Sequence, residues 1–166
     1  MILKELLERS EYTLVQGSED VEISTLVYDS RKIEKGSVFV CISGAVSDGH
    51  TYIEQVAEKG AAAVIVEKDV EAPEGLTVIK VKDTRYALAM TSAAYFGYPA
   101  EKLKVIGITG TKGKTTTTYM VKSILEEVGI RVGLIGTIEA IIGDKSIPAN
   151  NTTPESYTIQ KYFAEM

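Results

Sequence analysis

Apolar positions in this chain fall into short β-branched runs separated by stretches of helical spacing. Val38 to Ile42, Ala62 to Val66 and Thr77 to Val81 are brief and apolar, the pattern of strands buried on both faces. Between the first two, Thr51 to Lys59 predicts a helix closed by Gly60, because glycine best tolerates the left-handed turn that ends a helix. Asp83 predicts the N-cap of a second helix through Phe96, with Gly97 and Pro99 ending it. At the N-terminus, Met1 to Arg9 sets apolar residues at helical spacing among charges, which predicts a surface helix; a signal peptide would need an unbroken apolar stretch. Strands alternating with helices predict an α/β layer structure.

Gly97 to Lys102 predicts a boundary, and the pattern restarts after it. Leu103 to Ile108 predicts a strand, Gly110 to Gly113 a loop, and Lys114 to Val128 a helix closed by Gly129. Arg131 to Ile142 predicts a return as extended chain, with Gly143-Asp144 turning it into Lys145-Ser146-Ile147. Thr153 predicts a helix cap with Pro154 in the first turn, and Ile159, Tyr162, Phe163 and Met166 form an apolar stripe behind it. One parallel crossover with an exposed apolar helix makes an incomplete layer, which predicts a fragment of a longer protein.

Composition narrows the partners. The 166 residues carry a formal charge of -5, with 45% apolar and 25% charged residues. That balance predicts a folded soluble chain with no general attraction for nucleic acid. No apolar run approaches the roughly 20 residues that cross a bilayer, so the expectation is a cytoplasmic protein without membrane insertion. The single cysteine, Cys41, lies in an apolar run and predicts a buried, inert thiol.

The candidate chemistry sits between the predicted strand and helix of the second unit, in Thr109-Gly110-Thr111-Lys112-Gly113-Lys114-Thr115-Thr116. Backbone N–H groups that converge on phosphate oxygens need bare approach points, and Gly110 and Gly113 supply them. The helix start adds unpaired N–H groups and a positive dipole end. Lys114 offers a point charge to the β- and γ-phosphates, and the Thr115 hydroxyl suits Mg²⁺. Thr111, Lys112 and Thr116 complete the predicted phosphate grip, although the Lys112 side chain reads equally as solvated. The spacing G-x-x-x-x-G-K-[ST] is not met in full: Ile108 stands where its first glycine would be, and Gly107 is one residue early. A glycine-containing turn with an exposed lysine is the bland alternative.

This loop resembles the ATP loop of the Mur ligases, which build the peptide of the peptidoglycan precursor and use a shortened loop of this kind. Tyr28-Asp29-Ser30-Arg31, Lys35-Gly36-Ser37-Val38-Phe39-Val40, Gly44, Asp48-Gly49-His50, Ala57 and Gly60-Ala61 follow the pattern of that family's N-terminal domain. Asn151-Thr152-Thr153-Pro154 is similar to a motif separating the member that adds the third stem-peptide residue from its siblings. The resemblance covers nearly the whole chain. It implies a small N-terminal α/β domain over 1–98 that holds the UDP end of the substrate, then the beginning of a P-loop ATPase α/β domain over 99–166.

By position, the resemblance gives Ser30, with Tyr28 beside it and Ala45-Val46-Ser47 lining the site, to the uridine nucleotide. It gives Asn151, Thr152 and Thr153 to the muramoyl-dipeptide end. It further implies ATP and Mg²⁺ as cofactors, and UDP-MurNAc-L-Ala-D-Glu and an amino acid as substrates. Lysine and diaminopimelate both remain open, as does oligomeric state. The family's remaining catalytic residues come from later sequence, so this chain alone is expected not to turn over. Read without the resemblance, Asp29 and Arg31 are a surface pair, Thr153 is a helix cap, and His50 is a surface or capping histidine. A sibling ligase that adds D-Ala-D-Ala, a non-catalytic P-loop module and a ligand-free structural fragment are the competing readings.

Overall fold

Residues 1–44 and 47–166 are described by a computed structural model, in which the chain divides into two units, Met1–Gly97 and Tyr98–Met166. The first is built on five strands: β1 (Thr13–Gln16), β2 (Thr25–Val27), β3 (Ser37–Val40), β4 (Ala63–Val66) and β5 (Thr77–Lys80). Their order across the sheet is β1-β5-β4-β3-β2, with β2 to β5 parallel and β1 antiparallel to β5 at one edge. Every residue of β3 and β4 is buried, which is why both read as unbroken apolar runs.

Helices cover both faces. The helix α2 (Ile53–Glu58) packs Ile53 and Val56 against Phe39, Val64, Val66 and Val78. Side chains alternate along a strand, so Val38, Val40 and Ile65 turn to the opposite face, where α3 (Thr84–Tyr95) buries Ala87, Leu88 and Thr91. Asp83 caps α3 as predicted, accepting from the Arg85 and Tyr86 N–H groups at 2.8 and 3.0 Å. The N-terminal helix α1 (Leu3–Leu7) is the surface helix expected: Leu3, Leu6 and Leu7 are fully buried where α1 packs on α3, and Lys4 and Glu5 are exposed. Cys41 is buried, and desolvation pushes its thiol up to about 12, as an inert cysteine requires.

The second unit holds α4 (Lys114–Glu127), an antiparallel sheet of β6 (Leu134–Ile135), β7 (Glu139–Ile142) and β8 (Lys145–Pro148), and α5 (Ser156–Glu165). The Gly143-Asp144 turn joins β7 to β8 through the Ile142–Lys145 pair, as its composition predicts. Three expectations are corrected. Leu103 to Ile108 forms no strand: a strand needs a neighbour for its N–H and C=O groups, the strands of this unit pair with one another, and Val105 and Ile106 are left exposed. Arg131 to Ile142 is not continuous, because the Gly136 N–H closes a turn onto the Glu139 carbonyl at 3.1 Å. Thr153 does not cap α5. Glu155 holds an extended ψ of 151°, so the first helical bond is Ile159 N–H to the Glu155 carbonyl, two residues after the expected start.

Candidate functional site

Because β2 to β5 are parallel, their carboxyl ends share one edge of the first unit, the edge where open α/β sheets present their ligand-binding loops. Tyr28 to Arg31 follow β2. Asp29 caps a 3-10 turn over Ser30–Lys32, accepting from the Arg31 N–H at 3.1 Å. The Arg31 guanidinium returns two hydrogen bonds to the Asp29 carboxylate, at 2.9 and 2.8 Å, and holds its pKa at about 2. This is the surface pair foreseen from residue type. Ser30 is half-buried at the start of the turn, and the Lys59 ammonium donates to its carbonyl at 2.9 Å.

The segment after β3 folds back on itself. Ser43 and Asp48 form an antiparallel bridge, closed further by Gly44 N–H to the Ser47 carbonyl at 3.0 Å. Of the residues that the family resemblance assigns to this stretch, Ala45 and Val46 lie outside the described residues, and Ser47 lies on the returning leg. Of the two roles expected for His50, surface or capping, the structure excludes the surface one. Its side chain is 6% exposed, with Nδ1 2.6 Å from Asp48 Oδ1 and Nε2 accepting from the Glu67 N–H at 3.1 Å. The second contact needs a bare Nε2, which puts the proton of neutral His50 on Nδ1. Asp48 also pairs with Lys68 at 2.5 Å, and these partners drive its pKa well below the usual carboxylate range.

Glu67, the first residue after β4, completes this network. Its carboxylate accepts from the Ser43 hydroxyl at 2.6 Å and from the N–H and hydroxyl of Thr84 at 2.9 and 2.8 Å. Ser43 is the largest of these influences, and together they hold Glu67 at about 2. Sequence reading missed Glu67, Ser43 and Thr84. A single acidic residue closing an apolar strand was the one available signal, and it looks like any solvated strand end.

In the second unit, Gly113 stands at the N-cap of α4 with φ 78°, and no side chain caps the helix. The first helical bond is Thr117 N–H to the Gly113 carbonyl at 2.9 Å, so the N–H groups of Lys114, Thr115 and Thr116 have no acceptor within the helix. The Lys114 ammonium reaches back 2.7 Å to the Gly110 carbonyl, closing the loop on itself. Thr111 and Lys112 are exposed on the loop, Lys114 and Thr115 are half-buried, and Thr116 is exposed on the first turn. Tyr119 anchors α4 to the sheet by donating to Glu139 at 2.5 Å, and Ser146 donates to the same carboxylate. Asn151, Thr152 and Thr153 are exposed in the bend before α5, where the Thr137 hydroxyl meets that of Thr152 at 3.3 Å.

A glycine loop at an uncapped helix start, following a unit whose largely parallel sheet is covered by helices, defines an α/β protein. The chain belongs to the Mur ligase family: residues 22–96 match the family's catalytic domain and residues 108–166 the Mur ligase middle domain. It is 51% identical, over 166 residues, to the UDP-N-acetylmuramoyl-L-alanyl-D-glutamate--2,6-diaminopimelate ligase of Clostridium perfringens, covering 100% of this chain and 34% of that protein. Among solved structures, one of a UDP-N-acetylmuramoyl-L-alanyl-D-glutamate--2,6-diaminopimelate ligase matches 99% of this chain and 33% of its own at a TM-score of 0.74 and 21% identity, a likeness of fold. The MurF ligase of Thermotoga maritima in complex with ADP matches 86% of this chain and 29% of its own, at a TM-score of 0.54 and 22% identity. The chain thus spans about a third of the length of the relatives it matches. Among the described residues, no helix is long and apolar enough to cross a membrane.

Proposed function

We propose that this chain supplies the nucleotide-holding parts of an ATP-dependent ligase that joins diaminopimelate to UDP-MurNAc-L-Ala-D-Glu. The observation that carries this reading is the Lys114–Gly110 closure at the uncapped start of α4, within the segment matching the Mur ligase middle domain. The choice of diaminopimelate rests on the name of the 51% identical relative.

The chemistry asks for fixed positive charge. A carboxylate oxygen of the substrate's D-Glu attacks the γ-phosphorus of ATP, ADP leaves, and an acyl phosphate forms. The amine of diaminopimelate then adds to the acyl carbon, and the tetrahedral intermediate expels phosphate and loses a proton to give the amide. Both partners of the first step are anions, so Gly110, Thr111, Lys112, Gly113 and Thr116 hold the phosphates through backbone N–H groups while Lys114 adds its charge. Mg²⁺ takes oxygen ligands and keeps waters, a set that one hydroxyl, from Thr115, and phosphate oxygens satisfy. Bound there, it would screen the phosphate charge.

At the other end of the substrate, Ser30 and Tyr28 hold the uridine nucleotide from the sheet edge of the first unit. Asn151, Thr152 and Thr153 offer exposed hydroxyl and amide groups to the muramoyl-dipeptide.

Calorimetric titration of this chain with UDP and, separately, with Mg-ATP tests the reading. Both ligands should bind. Ser30→Ala should weaken UDP alone, and Asn151→Ala should weaken UDP-MurNAc-L-Ala-D-Glu but not UDP. A wild-type chain that binds neither nucleotide would overturn the proposal.

A further inference from the structure

The 3-10 turn that carries Ser30 is shaped locally and placed from a distance. Its shape comes from near neighbours: the Asp29 carboxylate accepts from the Arg31 N–H, and the Lys32 N–H donates to the Asp29 carbonyl at 2.9 Å. The Arg31 guanidinium also turns back on Asp29. Such bonds set how the chain bends, not where the bend stands over the sheet. Lys59 supplies the second kind of restraint. It lies 29 residues on, and its ammonium donates to the Ser30 carbonyl at 2.9 Å.

The base from which Lys59 reaches is firm. Lys59 is the C-cap of α2, whose Ile53 and Val56 are buried in the sheet core. The chain leaving that helix is closed by Gly60 N–H to the Ala57 carbonyl at 2.8 Å and by Ala61 N–H to the Val56 carbonyl at 3.0 Å. The Gly60 carbonyl accepts in turn from the Gly36 N–H at 2.8 Å, and a Cβ on Gly60 would lie 3.4 Å from Lys35 Cα. The end of α2 is therefore in backbone contact with the segment that leads from the Ser30 turn into β3. Lys59 extends that contact up to Ser30 itself.

We infer that Lys59 is a positioning residue for the uridine nucleotide: its bond to the Ser30 carbonyl fixes the peptide beside the Ser30 side chain, so that the hydroxyl meets the ligand in one place. This inference rests on the uridine reading above. It adds that Lys59 acts through Ser30, and not by drawing the diphosphate with its charge. The two roles separate in experiment. A positional effect vanishes once the Ser30 hydroxyl is gone, whereas a charge acting across water fades with salt.

The test is UDP titration of this chain as wild type, K59M, K59A, K59R, S30A and K59M/S30A, at low and high salt, with thermal melting and Mg-ATP titration of each. K59M removes the donor and keeps a long unbranched stem; it should weaken UDP by about fivefold, the scale of one partly solvated hydrogen bond. K59R can still donate to the carbonyl and should stay within about twofold of wild type. In the S30A background, K59M should cost at most about a further twofold. The K59M loss should persist at high salt. Lys59 is exposed, so melting temperature should hold in all three single Lys59 variants, as should Mg-ATP affinity. Amide exchange should quicken at residues 30–32 in K59M but not in S30A. Should K59M fail to fold, K59A carries the test. Wild-type affinity in K59M, a K59M/S30A loss equal to the two single losses multiplied, or a K59M loss that disappears in salt would overturn the inference while leaving the uridine site standing. Full UDP affinity in S30A would take Ser30 out of the site, and the inference with it. A wild-type chain that binds no UDP removes the uridine reading and this inference together.

Discussion

The side-chain nitrogen of Lys114 lies 2.7 Å from the carbonyl oxygen of Gly110, so the first residue of α4 grips the loop that leads into it. This single bond holds a cation over a row of N–H groups that the helix cannot use. Lys114→Met should weaken Mg-ATP binding by about a hundredfold, the loss of a charge-assisted contact to phosphate, worth ~1.5–3 kcal/mol. Stability should change by less than about 1 kcal/mol, because the bond it removes is partly exposed. Arginine should not restore binding, since its planar fork cannot replace a compact ammonium at this spot. Calorimetry and a denaturant melt on each variant measure the two effects separately.

Two glycines should respond to alanine for different reasons. Gly113 has φ 78° and open space around the missing Cβ, so alanine there costs only left-handed backbone strain, about 1–2 kcal/mol. Gly49 has no such φ, but its Cβ would strike the backbone of Cys41 and Ile42, which cannot rotate away. Gly49→Ala should therefore cost more, about 3 kcal/mol, and should disturb the loop that follows β3. Urea midpoints of the two variants would rank them, and the opposite ranking would contradict the close approach at Gly49.

The two units should also differ in how they resist opening. Ile65 is fully buried, and Ile65→Ala should cost about 2–5 kcal/mol through the cavity left in the sheet core. No residue of α4 is buried, and Met120 is 61% exposed, so Met120→Ala should stay within about 0.5 kcal/mol of wild type. Amide hydrogen exchange should accordingly show strong protection in β3 and β4 and weak protection in α4. Equal protection in both would mean that α4 is stabilised by contacts other than those described above.

Much of this architecture is written in local pattern, and the exceptions share a cause. β3, β4 and β5 are legible because strands buried on both faces must be apolar throughout, and α3 because Asp83 and Gly97 bracket it. β1 stays hidden: it is a largely exposed edge strand, so Leu14 and Val15 both face solvent and no alternation marks it. β2 has three residues, too few to show a period. Leu103 to Ile108 has the composition of a strand but no partner, and composition cannot report pairing. The loop proposed to hold phosphate stands out because its glycines and lysine fall at neighbouring positions ahead of a helix. The Glu67 network does not, since Ser43 and His50, Glu67, and Thr84 come from three separate segments that only the sheet brings together.

Acid should weaken the first unit through its depressed carboxylates. Glu67 is held at about 2 against an ordinary 4.5, first by the Ser43 hydroxyl and then by Thr84, and Asp29 at about 2 against 3.8 by Arg31. A folded-state pKa below the unfolded value means that the unfolded chain binds protons more readily as pH falls. The stability from these two groups is thus complete above about pH 4.5 and drains away between there and about pH 2. The Arg31 guanidinium is 87% exposed, so water and salt screen the Asp29 share, and Glu67 should dominate. Melting temperature followed from pH 7 to pH 2 should therefore fall more gently in E67Q than in wild type, whereas R31A should shift the curve only slightly and lose that shift in high salt. An E67Q curve with the wild-type slope would show that the Ser43 and Thr84 bonds do not favour the ionised carboxylate.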